Sequence, residues 1–510
     1  MTVTIEALLT QAEPAAPAIA GFGRTTMSHA GLAALTERTR AALAAAGIGG
    51  GARVATVLPN GPAAASAFVA IAQCATVAPL NQAYRADEFD FYLSDLGAKA
   101  VVVPDGLDGP AVEVARRKGC VVLRLAEDPA GPAGDFTLRV DGRAGQPVEP
   151  HRPGAGDVAL ILHTSGTTSR PKIVPLTQAN LAASAGHIVQ TLALTRADRC
   201  LVVMPLFHIH GLIAATLSSL SAGGSLIVPD GGFDGLKFFR QLEESEASWM
   251  TAVPTMYQAI LARSERNREV IARAGLRLLR SSSASLPPQV MLELEAAFGC
   301  PVIESYGMTE AAHQMTSNPL PPAERRPGSV GIAAGPQVRV CAPDGTMLAP
   351  GEEGEVVISG PNVTPGYEAN PGANADAFFE AVGRRWFRTG DQGRMDAEGY
   401  LRITGRLKEI INRGGEKVSP LEVDEVVMDH PAVRQCVTFA IPHPKLGEEV
   451  AVAVVLREGQ EAGEQQIRDF AAQRLAPFKV PRRVVILAEI PKGATGKLQR
   501  IGLAAKLGLG

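Results

Sequence analysis

The sequence predicts a large layered α/β domain followed by a small α+β unit, because helix-like and strand-like patterns alternate through most of its 510 residues. Apolar residues recur at helical spacing over 32–46, and a strand-like run follows at 54–58. A second helix pattern covers 63–75, and a second strand pattern covers 100–103. Further strand-like runs lie at 158–162, 200–204, 225–228, 249–253 and 302–304. Alternation of this kind is typical of a sheet covered by helices.

Two later regions differ from this alternation. Residues 338–358 contain short strand-like runs with Gly-Pro turns, which predicts a β-rich subdomain. After Arg406 the pattern changes to helix candidates at 422–429 and 467–475 and strands at 450–456 and 484–487. This is a small α+β unit of plausible domain size. We place the boundary between Leu407 and Lys408, giving domains 1–407 and 408–510. The segment 128–156, rich in Pro, Gly and Asp, is predicted to be a connection.

Composition excludes several classes of protein. The chain is 46% hydrophobic and 20% charged, with a formal net charge of −3, which is typical of a globular protein without a basic surface for nucleic acid. No apolar run is long enough to span a bilayer, and neither a signal peptide nor a C-terminal peroxisomal tripeptide is evident. The six cysteines are scattered without metal spacing. We therefore expect a cytoplasmic protein with reduced thiols, either a monomer or a homodimer, and no nucleic-acid partner.

The most informative stretch follows the strand at 158–162. It reads His163-Thr164-Ser165-Gly166-Thr167-Thr168-Ser169-Arg170-Pro171-Lys172. Hydroxyls, a glycine and a terminal lysine on a loop can wrap an anion, and a polyphosphate is the expected guest. Pro171 stands where a Walker A loop needs glycine beside its lysine, so a P-loop NTPase is disfavoured.

This loop resembles the signature loop of the acyl-adenylate-forming superfamily, which contains acyl-CoA synthetases, luciferases and the adenylation domains of peptide synthetases. The chain departs from that pattern at Ser169 and Ile173, where the family usually has glycine. The resemblance implies that the loop binds ATP through Thr164, Ser165, Gly166, Thr167, Thr168 and Lys172.

A second segment, Glu304-Ser305-Tyr306-Gly307-Met308-Thr309-Glu310, resembles the family's Tyr-Gly-x-Thr-Glu motif. Tyr306 offers a flat face to a base, and Thr309 can hydrogen-bond a phosphate. Glu310 can hold Mg²⁺ through a carboxylate oxygen, as hard cations prefer. The resemblance places all seven residues at the nucleotide.

Three further positions follow in family order. By resemblance, Asp391 grips the ribose hydroxyls, Arg406 contacts ribose or phosphate, and Lys497 enters the site during adenylation. Lys408 matches the hinge about which the C-terminal domain moves, and Gly414 and Gly415 match a loop that approaches the second substrate. The implied fold is an acyl-CoA-synthetase-type α/β domain with a mobile C-terminal domain that carries the catalytic lysine.

The implied reaction has two steps. A carboxylate attacks the α-phosphate of MgATP to give acyl-AMP and diphosphate, and the thiol of coenzyme A then displaces AMP. The catalytic residues expected from the resemblance are Lys172, Lys408, Thr309, Glu310 and Lys497. Catalysis of this kind depends on positioning and charge neutralisation more than on an acid–base pair.

The acid is expected to be short and to carry a second carboxylate. His208 and His210 lie in a segment that resembles the lining of the family's acyl and thiol channels, whereas Ser283 and His313 differ from the residues usual at their positions. Together they suggest a small polar pocket, in which an alkyl chain would leave polar groups unpaired. The same segments look similar to oxalate–CoA ligases, so oxalate is the leading substrate. Alternatives are another short acid such as malonate, a medium-chain acid, a stand-alone adenylation module that loads a carrier protein, and a non-enzymatic nucleotide-binding protein.

Overall fold

The computed structural model of the chain describes residues 3–164, 171–492 and 497–510. In these residues the strands, numbered in chain order, are β1 (Pro17–Ala20), β2 (Met27–Ser28), β3 (Arg53–Thr56), β4 (Thr76–Pro79), β5 (Ala100–Pro104), β6 (Val121–Glu127), β7 (Phe136–Asp141), β8 (Val158–Thr164), β9 (Lys172–Thr177), β10 (Arg199–Leu201), β11 (Ser225–Ile227), β12 (Trp249–Ala252), β13 (Leu278–Ser281), β14 (Val302–Met308), β15 (His313–Ser317), β16 (Ile332–Ala333), β17 (Gln337–Cys341), β18 (Glu353–Ser359), β19 (Phe378–Ala381), β20 (Arg384–Met395), β21 (Leu401–Arg406), β22 (Ile411–Arg413), β23 (Glu416–Val418), β24 (Val433–His443), β25 (Gly447–Leu456) and β26 (Arg483–Ile486).

The α-helices of the same residues are α1 (Ile5–Leu9), α2 (His29–Ala45), α3 (Pro62–Ala72), α4 (Ala86–Leu96), α5 (Pro110–Arg117), α6 (Gln178–Thr191), α7 (Ser218–Ser221), α8 (Phe238–Ser245), α9 (Pro254–Ser264), α10 (Arg268–Arg273), α11 (Pro288–Phe298), α12 (Pro371–Ala377), α13 (Pro420–Met428), α14 (Glu464–Ala472) and α15 (Leu503–Lys506). A π-helical segment spans His210–Leu217, and 3₁₀ turns span Glu265–Asn267 and Thr309–Ala311.

Two large sheets form the body of the protein. One has the order β16-β15-β14-β13-β12-β10-β11-β1-β2, and the other has the order β7-β6-β5-β3-β4-β8-β9. The inner strands of both sheets pair in parallel, while β2, β7, β9, β15 and β16 pair antiparallel. Parallel strands need helical crossovers that cover both faces, which explains the near-continuous apolar runs of the inner strands.

Helix α3 shows how the sequence fills the space beside the sheets. Pro62 begins it, where proline's missing N–H costs nothing, and every residue from Pro62 to Ala72 is buried. Six of its eleven residues are alanine. Their small side chains allow close packing on all sides, as a helix buried all round requires.

The β-rich region and the C-terminal unit have their own sheets. Strands β17, β18, β20, β19 and β21 form an antiparallel sheet, and β23, β22, β25, β24 and β26 form a second sheet. Helices α13 and α14 pack together on the second sheet, and Val423 and Ile467 are fully buried there.

The C-terminal segment is fastened to this unit by Arg500. Its guanidinium pairs with Asp424 Oδ2 at 2.6 Å and with Glu409 Oε2 at 3.4 Å, and Nη1 donates to the carbonyl of Thr438 at 2.9 Å.

The predicted layered α/β fold with a small C-terminal α+β domain is confirmed, and the predicted helices and strands occur with ends shifted by a few residues. One prediction was wrong: the segment 128–156 is not only a connection. It contains β7, which extends the sheet edge antiparallel to β6. Only Phe136 of this strand is buried, so apolar alternation in the sequence is weak there. None of the helices in the described part of the chain is both long and apolar enough to cross a bilayer.

Candidate active site

The signature loop joins two antiparallel strands. Thr164 at the end of β8 pairs with Lys172 at the start of β9, so the two ends of the loop lie side by side. Lys172 Nζ lies 4.2 Å from the centroid of the Tyr367 ring, a cation–π contact. The predicted ATP-binding residues Ser165, Gly166, Thr167 and Thr168 lie outside the described residues.

Tyr367 also contacts the predicted metal ligand. Its hydroxyl donates a 2.9 Å hydrogen bond to Glu310 Oε1, and Glu310 is buried in the 3₁₀ turn that follows β14. Burial raises the pKa of Glu310, whereas the hydrogen bond from Tyr367 and the charge of Lys172 act in the opposite direction. Lys172, Tyr367 and Glu310 therefore form one connected group.

Magnesium fits this group as a cation held by few protein ligands. The described residues contain no cluster of three or more His, Cys, Asp or Glu side chains that could enclose a metal. Mg²⁺ commonly binds to one or two carboxylates and completes its shell with phosphate and water oxygens, so the single buried carboxylate of Glu310, close to the predicted phosphate-binding lysine Lys172, fits this ion.

A second group contains the predicted ribose-binding residues. Asp391 on β20 lies opposite Arg406 on β21, and Arg406 Nε is 3.1 Å from Asp391 Oδ1. The hydroxyl of Tyr306 donates a hydrogen bond to Asp391 Oδ2. Burial raises the pKa of Asp391, and the charge of Arg406 opposes that rise. The sequence reasoning thus named three residues from separate strands that meet.

Lys497 interacts electrostatically with this group and with three imidazoles, the half-buried His208 and two buried histidines. Burial, and to a lesser extent the positive charge of Arg406, lowers the pKa of Lys497 to about 8, and the charge of Asp391 acts in the opposite direction. Burial, together with the charge of Lys497, lowers the pKa of His208 to about 3. The lysine that resemblance places in the site is therefore within electrostatic reach of both Asp391 and His208.

The two buried imidazoles belong to a cluster that we call the His–Arg cluster. His210 Nε2 is 2.6 Å from Thr251 Oγ1, and His210 Nδ1 is 3.1 Å from Ser283 Oγ. The rings of His210 and His313 lie 4.9 Å apart, and His313 Nδ1 is 3.5 Å from Arg280 Nη2. Burial lowers the pKa of both histidines well below the usual range. The cluster consists of His210, Thr251, Arg280, Ser283 and His313.

Backbone strain accompanies this arrangement. Ser283, Ala312 and His313 have φ values of +74°, +47° and +103°, a region that side-chain-bearing residues seldom occupy. Gly307 explains part of it: a Cβ at this position would lie 1.9 Å from the carbonyl oxygen of His313. Strain of this kind concentrates at functional sites, where the surrounding structure enforces it.

The rest of the 304–310 segment is tied into β13 and its flanks. Ser305 Oγ donates to the carbonyl of Ser281 at 3.3 Å, and Glu304 Oε1 accepts the backbone N–H of Leu286 at 2.9 Å. Burial raises the pKa of Glu304 to about 8. Met308 ends β14, and Thr309 begins the turn that carries Glu310.

The remaining predicted residues lie on the C-terminal side. Lys408 is exposed in the turn between β21 and β22. Gly414 and Gly415 form the β22–β23 hairpin with φ values of +62° and +98°. Their backbone N–H groups donate to Leu446 and Asn412, so the structure holds this hairpin on the small sheet.

Sequence reasoning missed three residues that the fold brings into these groups: Tyr367, Thr251 and Arg280. Tyr367 follows a Pro-Gly turn outside every recognised motif, and Thr251 lies within an apolar strand. Arg280 directly follows Leu278-Leu279, which was not predicted to be a strand, so no sequence signal marked the arginine as buried.

Comparisons with known proteins agree with this geometry. The profile described as "AMP-binding enzyme" matches residues 8–368, and the profile described as "AMP-binding enzyme C-terminal domain" matches residues 422–497. The probable CoA ligase CCL9 of Humulus lupulus is 45% identical over 494 residues, covering 95% of this chain and 92% of that protein. The oxalate–CoA ligase of Arabidopsis thaliana is 44% identical over 492 residues, covering 95% and 94%. The sulfoacetate–CoA ligase of Cupriavidus necator is 37% identical over 465 residues, covering 90% and 88%.

Solved structures give the same family. ATP-bound MatB from Rhodopseudomonas palustris matches with a TM-score of 0.86 and 31% identity over 98% of this chain and 97% of that one. The apo form of the same protein matches with a TM-score of 0.78. The chain therefore belongs to the AMP-binding enzyme family and is an ATP-binding acid–CoA ligase.

Proposed function

We propose that the enzyme joins oxalate to coenzyme A. Oxalate attacks the α-phosphate of ATP, forming oxalyl-AMP and releasing diphosphate. The thiol of coenzyme A then forms the thioester bond, losing its proton, and AMP leaves. The observation that carries the choice of acid is the His–Arg cluster. Its members other than the half-buried Ser283 are buried, and their polar groups suit a short acid with a second anionic group.

Charge complementarity supports this choice. Arg280 is fully buried, and its side-chain hydrogen-bond partners in the described residues are Thr251, His313 and Gln314, none of which is a carboxylate. A buried charge without an opposite charge beside it is costly, and an anionic substrate offsets that cost. An alkyl chain in the same place leaves the cluster's polar atoms desolvated and unpaired.

The roles of the remaining residues follow from their positions. Lys172 and the loop 164–168 hold the phosphates, and Lys497 neutralises charge between the carboxylate and the α-phosphate. Asp391 accepts hydrogen bonds from the ribose hydroxyls, and Arg406 orients Asp391. The ring of Tyr306 stacks on the adenine base. Glu310 is the residue that would hold Mg²⁺, whose charge supports phosphoryl chemistry when it is bound.

The second half-reaction is assigned to the C-terminal unit. We propose domains of 1–407 and 408–510, with Lys408 as the hinge. Gly414 and Gly415, on the exposed β22–β23 hairpin, then approach the thiol substrate, and His208 lines its path. The same proposal includes a cytoplasmic location and a monomeric or homodimeric state.

A panel of acids tests the substrate. Diphosphate release is measured with oxalate, malonate, sulfoacetate, acetate and hexanoate, each with and without coenzyme A. We expect the highest kcat/KM for oxalate, with turnover dependent on coenzyme A. Oxalate turning over no better than acetate or hexanoate removes the proposal.

A second candidate is sulfoacetate. It also pairs a carboxylate with a second anionic group, and a relative bearing that activity covers most of the chain. A preference for sulfoacetate over oxalate in the same panel selects it. Turnover that requires a carrier protein in place of coenzyme A selects a stand-alone adenylation module.

A further inference from the structure

Arg280, on β13, supplies hydrogen-bond donors to two members of the His–Arg cluster, Thr251 and His313, and to Gln314. Its Nη1 donates to Thr251 Oγ1 at 3.3 Å, and its Nη2 donates to Gln314 Oε1 at 3.2 Å and faces His313 Nδ1 at 3.5 Å. The side chain is fully buried. A guanidinium carries only donors and cannot accept a hydrogen bond. Every group that contacts it must therefore act as an acceptor towards it.

This requirement determines which ring nitrogen of His313 carries the proton. Because Nδ1 accepts from Arg280, the proton of the neutral ring lies on Nε2. Nε2 is buried and has no hydrogen-bond partner among residues 3–164, 171–492 and 497–510. The ring therefore has a donor with nothing in the described protein to receive it.

Arg280 also determines the hydrogen-bond directions from Thr251 to His210 and Ser283. Thr251 Oγ1 accepts from Arg280, and in the described residues its only other partner is His210 Nε2, at 2.6 Å. A hydroxyl has one hydrogen, and His210 Nε2 is its only possible acceptor in the described residues, so the threonine hydrogen is donated to His210 Nε2. The proton of that ring then lies on Nδ1 and is donated to Ser283 Oγ at 3.1 Å. The hydroxyl hydrogen of Ser283 remains available to a ligand.

His208 follows the same pattern without Arg280. Its Nδ1 accepts the backbone N–H of His210 at 3.3 Å, so a neutral ring carries its proton on Nε2. Burial lowers the pKa values of His208, His210 and His313, which keeps all three rings neutral near neutral pH.

We propose that Arg280 is a positioning residue that sets hydrogen-bond direction in the acid site, so that Ser283 and His313 both present donors to the distal anionic group of the acid. The inference rests on the proposed function, because it assigns the part of the substrate that these donors recognise. A carboxylate accepts both hydrogen bonds and also gains from the charge of Arg280, whereas a methyl group leaves both donors unpaired. Discrimination by a site built of donors is stronger than discrimination by size.

The first test reads the tautomers directly. The full-length enzyme is labelled with ¹⁵N-histidine, and long-range ¹H–¹⁵N spectra are recorded at pH 7.5, with assignment by single His→Gln variants. We expect the Nε2–H tautomer for His313 and His208 and the Nδ1–H tautomer for His210. The Nδ1–H tautomer at His313, or the Nε2–H tautomer at His210, overturns the proposal whichever acid the enzyme prefers.

The second test compares Arg280→Met with a matched control. Arg277→Met removes an arginine that lies three residues away and pairs with Asp198 at 2.6 Å outside the cluster. For Arg280→Met we expect kcat/KM for oxalate relative to acetate to fall about tenfold or more. Arg280→Lys, which keeps charge and donors, should recover part of that loss. Arg277→Met should lower the melting temperature and leave the ratio unchanged.

The outcomes separate the inference from the proposed function. If Arg280→Met lowers only the melting temperature, as Arg277→Met does, Arg280 is structural and the inference fails. If wild type prefers sulfoacetate, the proposed substrate fails, and the same variants are then compared on sulfoacetate against acetate. If Arg280→Met does not fold, the tautomers of His210 and His313 in the wild-type enzyme still test the inference.

Discussion

The hydroxyl of Tyr367 donates a 2.9 Å hydrogen bond to Glu310 Oε1 while the ring of Tyr367 lies beneath Lys172 Nζ. One aromatic residue thus connects the cation of the signature loop with the carboxylate of the 304–310 segment. Neither of those segments contains Tyr367, so the connection exists only in the folded protein. It links the proposed phosphate and metal positions.

Tyr367→Phe tests this connection. Loss of the hydrogen bond removes one of the influences that lower the pKa of Glu310, so that pKa should rise. Because Mg²⁺ binds the ionised carboxylate, the acidic limb of the pH–rate profile should move to higher pH, and KM for MgATP should increase several-fold. Tyr400→Phe is the control, since Tyr400 donates to the carbonyl of Glu324 outside the site. Equal profiles for the two variants would show that Tyr367 only packs.

Lys497→Ala should cripple adenylation and spare thioester formation from supplied acyl-AMP. Diphosphate exchange measures the first step, and thioester release measures the second. The pKa of about 8 means that the amine is charged below that pH and loses its charge above it. Adenylation by wild type should therefore decline above about pH 8. Lys492→Ala, on the nearby exposed side chain paired with Glu489, should change neither step. Equal loss of both steps in Lys497→Ala would refute the assigned role.

His313→Ala should reduce kcat/KM for oxalate far more than for acetate, by about tenfold in the ratio of the two. The physical reason is the loss of the Nε2–H donor that the described protein leaves unpartnered. His29→Ala is a matched control, because His29 is also buried but contacts the carbonyl of Gly224. A uniform effect of His313→Ala on both acids would mean that the imidazole serves only to fill space.

Glu304→Gln should stabilise the enzyme in a defined pH range. Burial raises the pKa of Glu304 from 4.5 to about 8, so the folded state holds a proton that the unfolded state releases. The free energy of unfolding of the wild type should therefore fall as pH rises from about 4.5 to about 8, and the contribution of Glu304 should be constant above that range. The variant lacks this loss, and its advantage in melting temperature should grow over the same interval. Glu458→Gln is the control, because the Glu458 side chain is exposed. An advantage that does not change with pH contradicts the assignment.

Lys408→Pro tests the proposed hinge. Proline fixes φ and restricts the preceding residue, so rotation about this turn should be blocked. We expect one half-reaction to survive and the other to be lost, measured by diphosphate exchange and by thioester formation from supplied acyl-AMP. Lys408→Ala leaves the backbone free, so any loss that it causes should not show this split between the two half-reactions. Full activity of the proline variant would place the hinge elsewhere.

The sequence was sufficient for features that depend on neighbouring residues. The buried strand before Thr164, the hydroxyl-rich loop and the 304–310 segment are each continuous, so their chemistry was visible without a fold. Asp391, Arg406 and Tyr306 were also named, although only the pairing of β20 with β21 shows that they touch.

The sequence was insufficient where a partner comes from a distant strand. Thr251 looks like one more residue of a buried strand, and its role depends on the parallel pairing that sets it opposite Arg280. The direction of each hydrogen bond in the His–Arg cluster depends in turn on that juxtaposition. The edge strand β7 was missed for a related reason, because its pairing with β6 and not its own apolar pattern makes it a strand.

The anchorage of Arg500 has a practical consequence for anyone who shortens or extends this chain. Asp424 and Glu409 pair with Arg500, three positions beyond Lys497, and so hold the last residues of the chain on the C-terminal unit. Removing residues 499–510 would take away Arg500 and with it the ion pairs that hold the segment after Lys497 on the C-terminal unit. A purification tag is therefore safer at the opposite terminus.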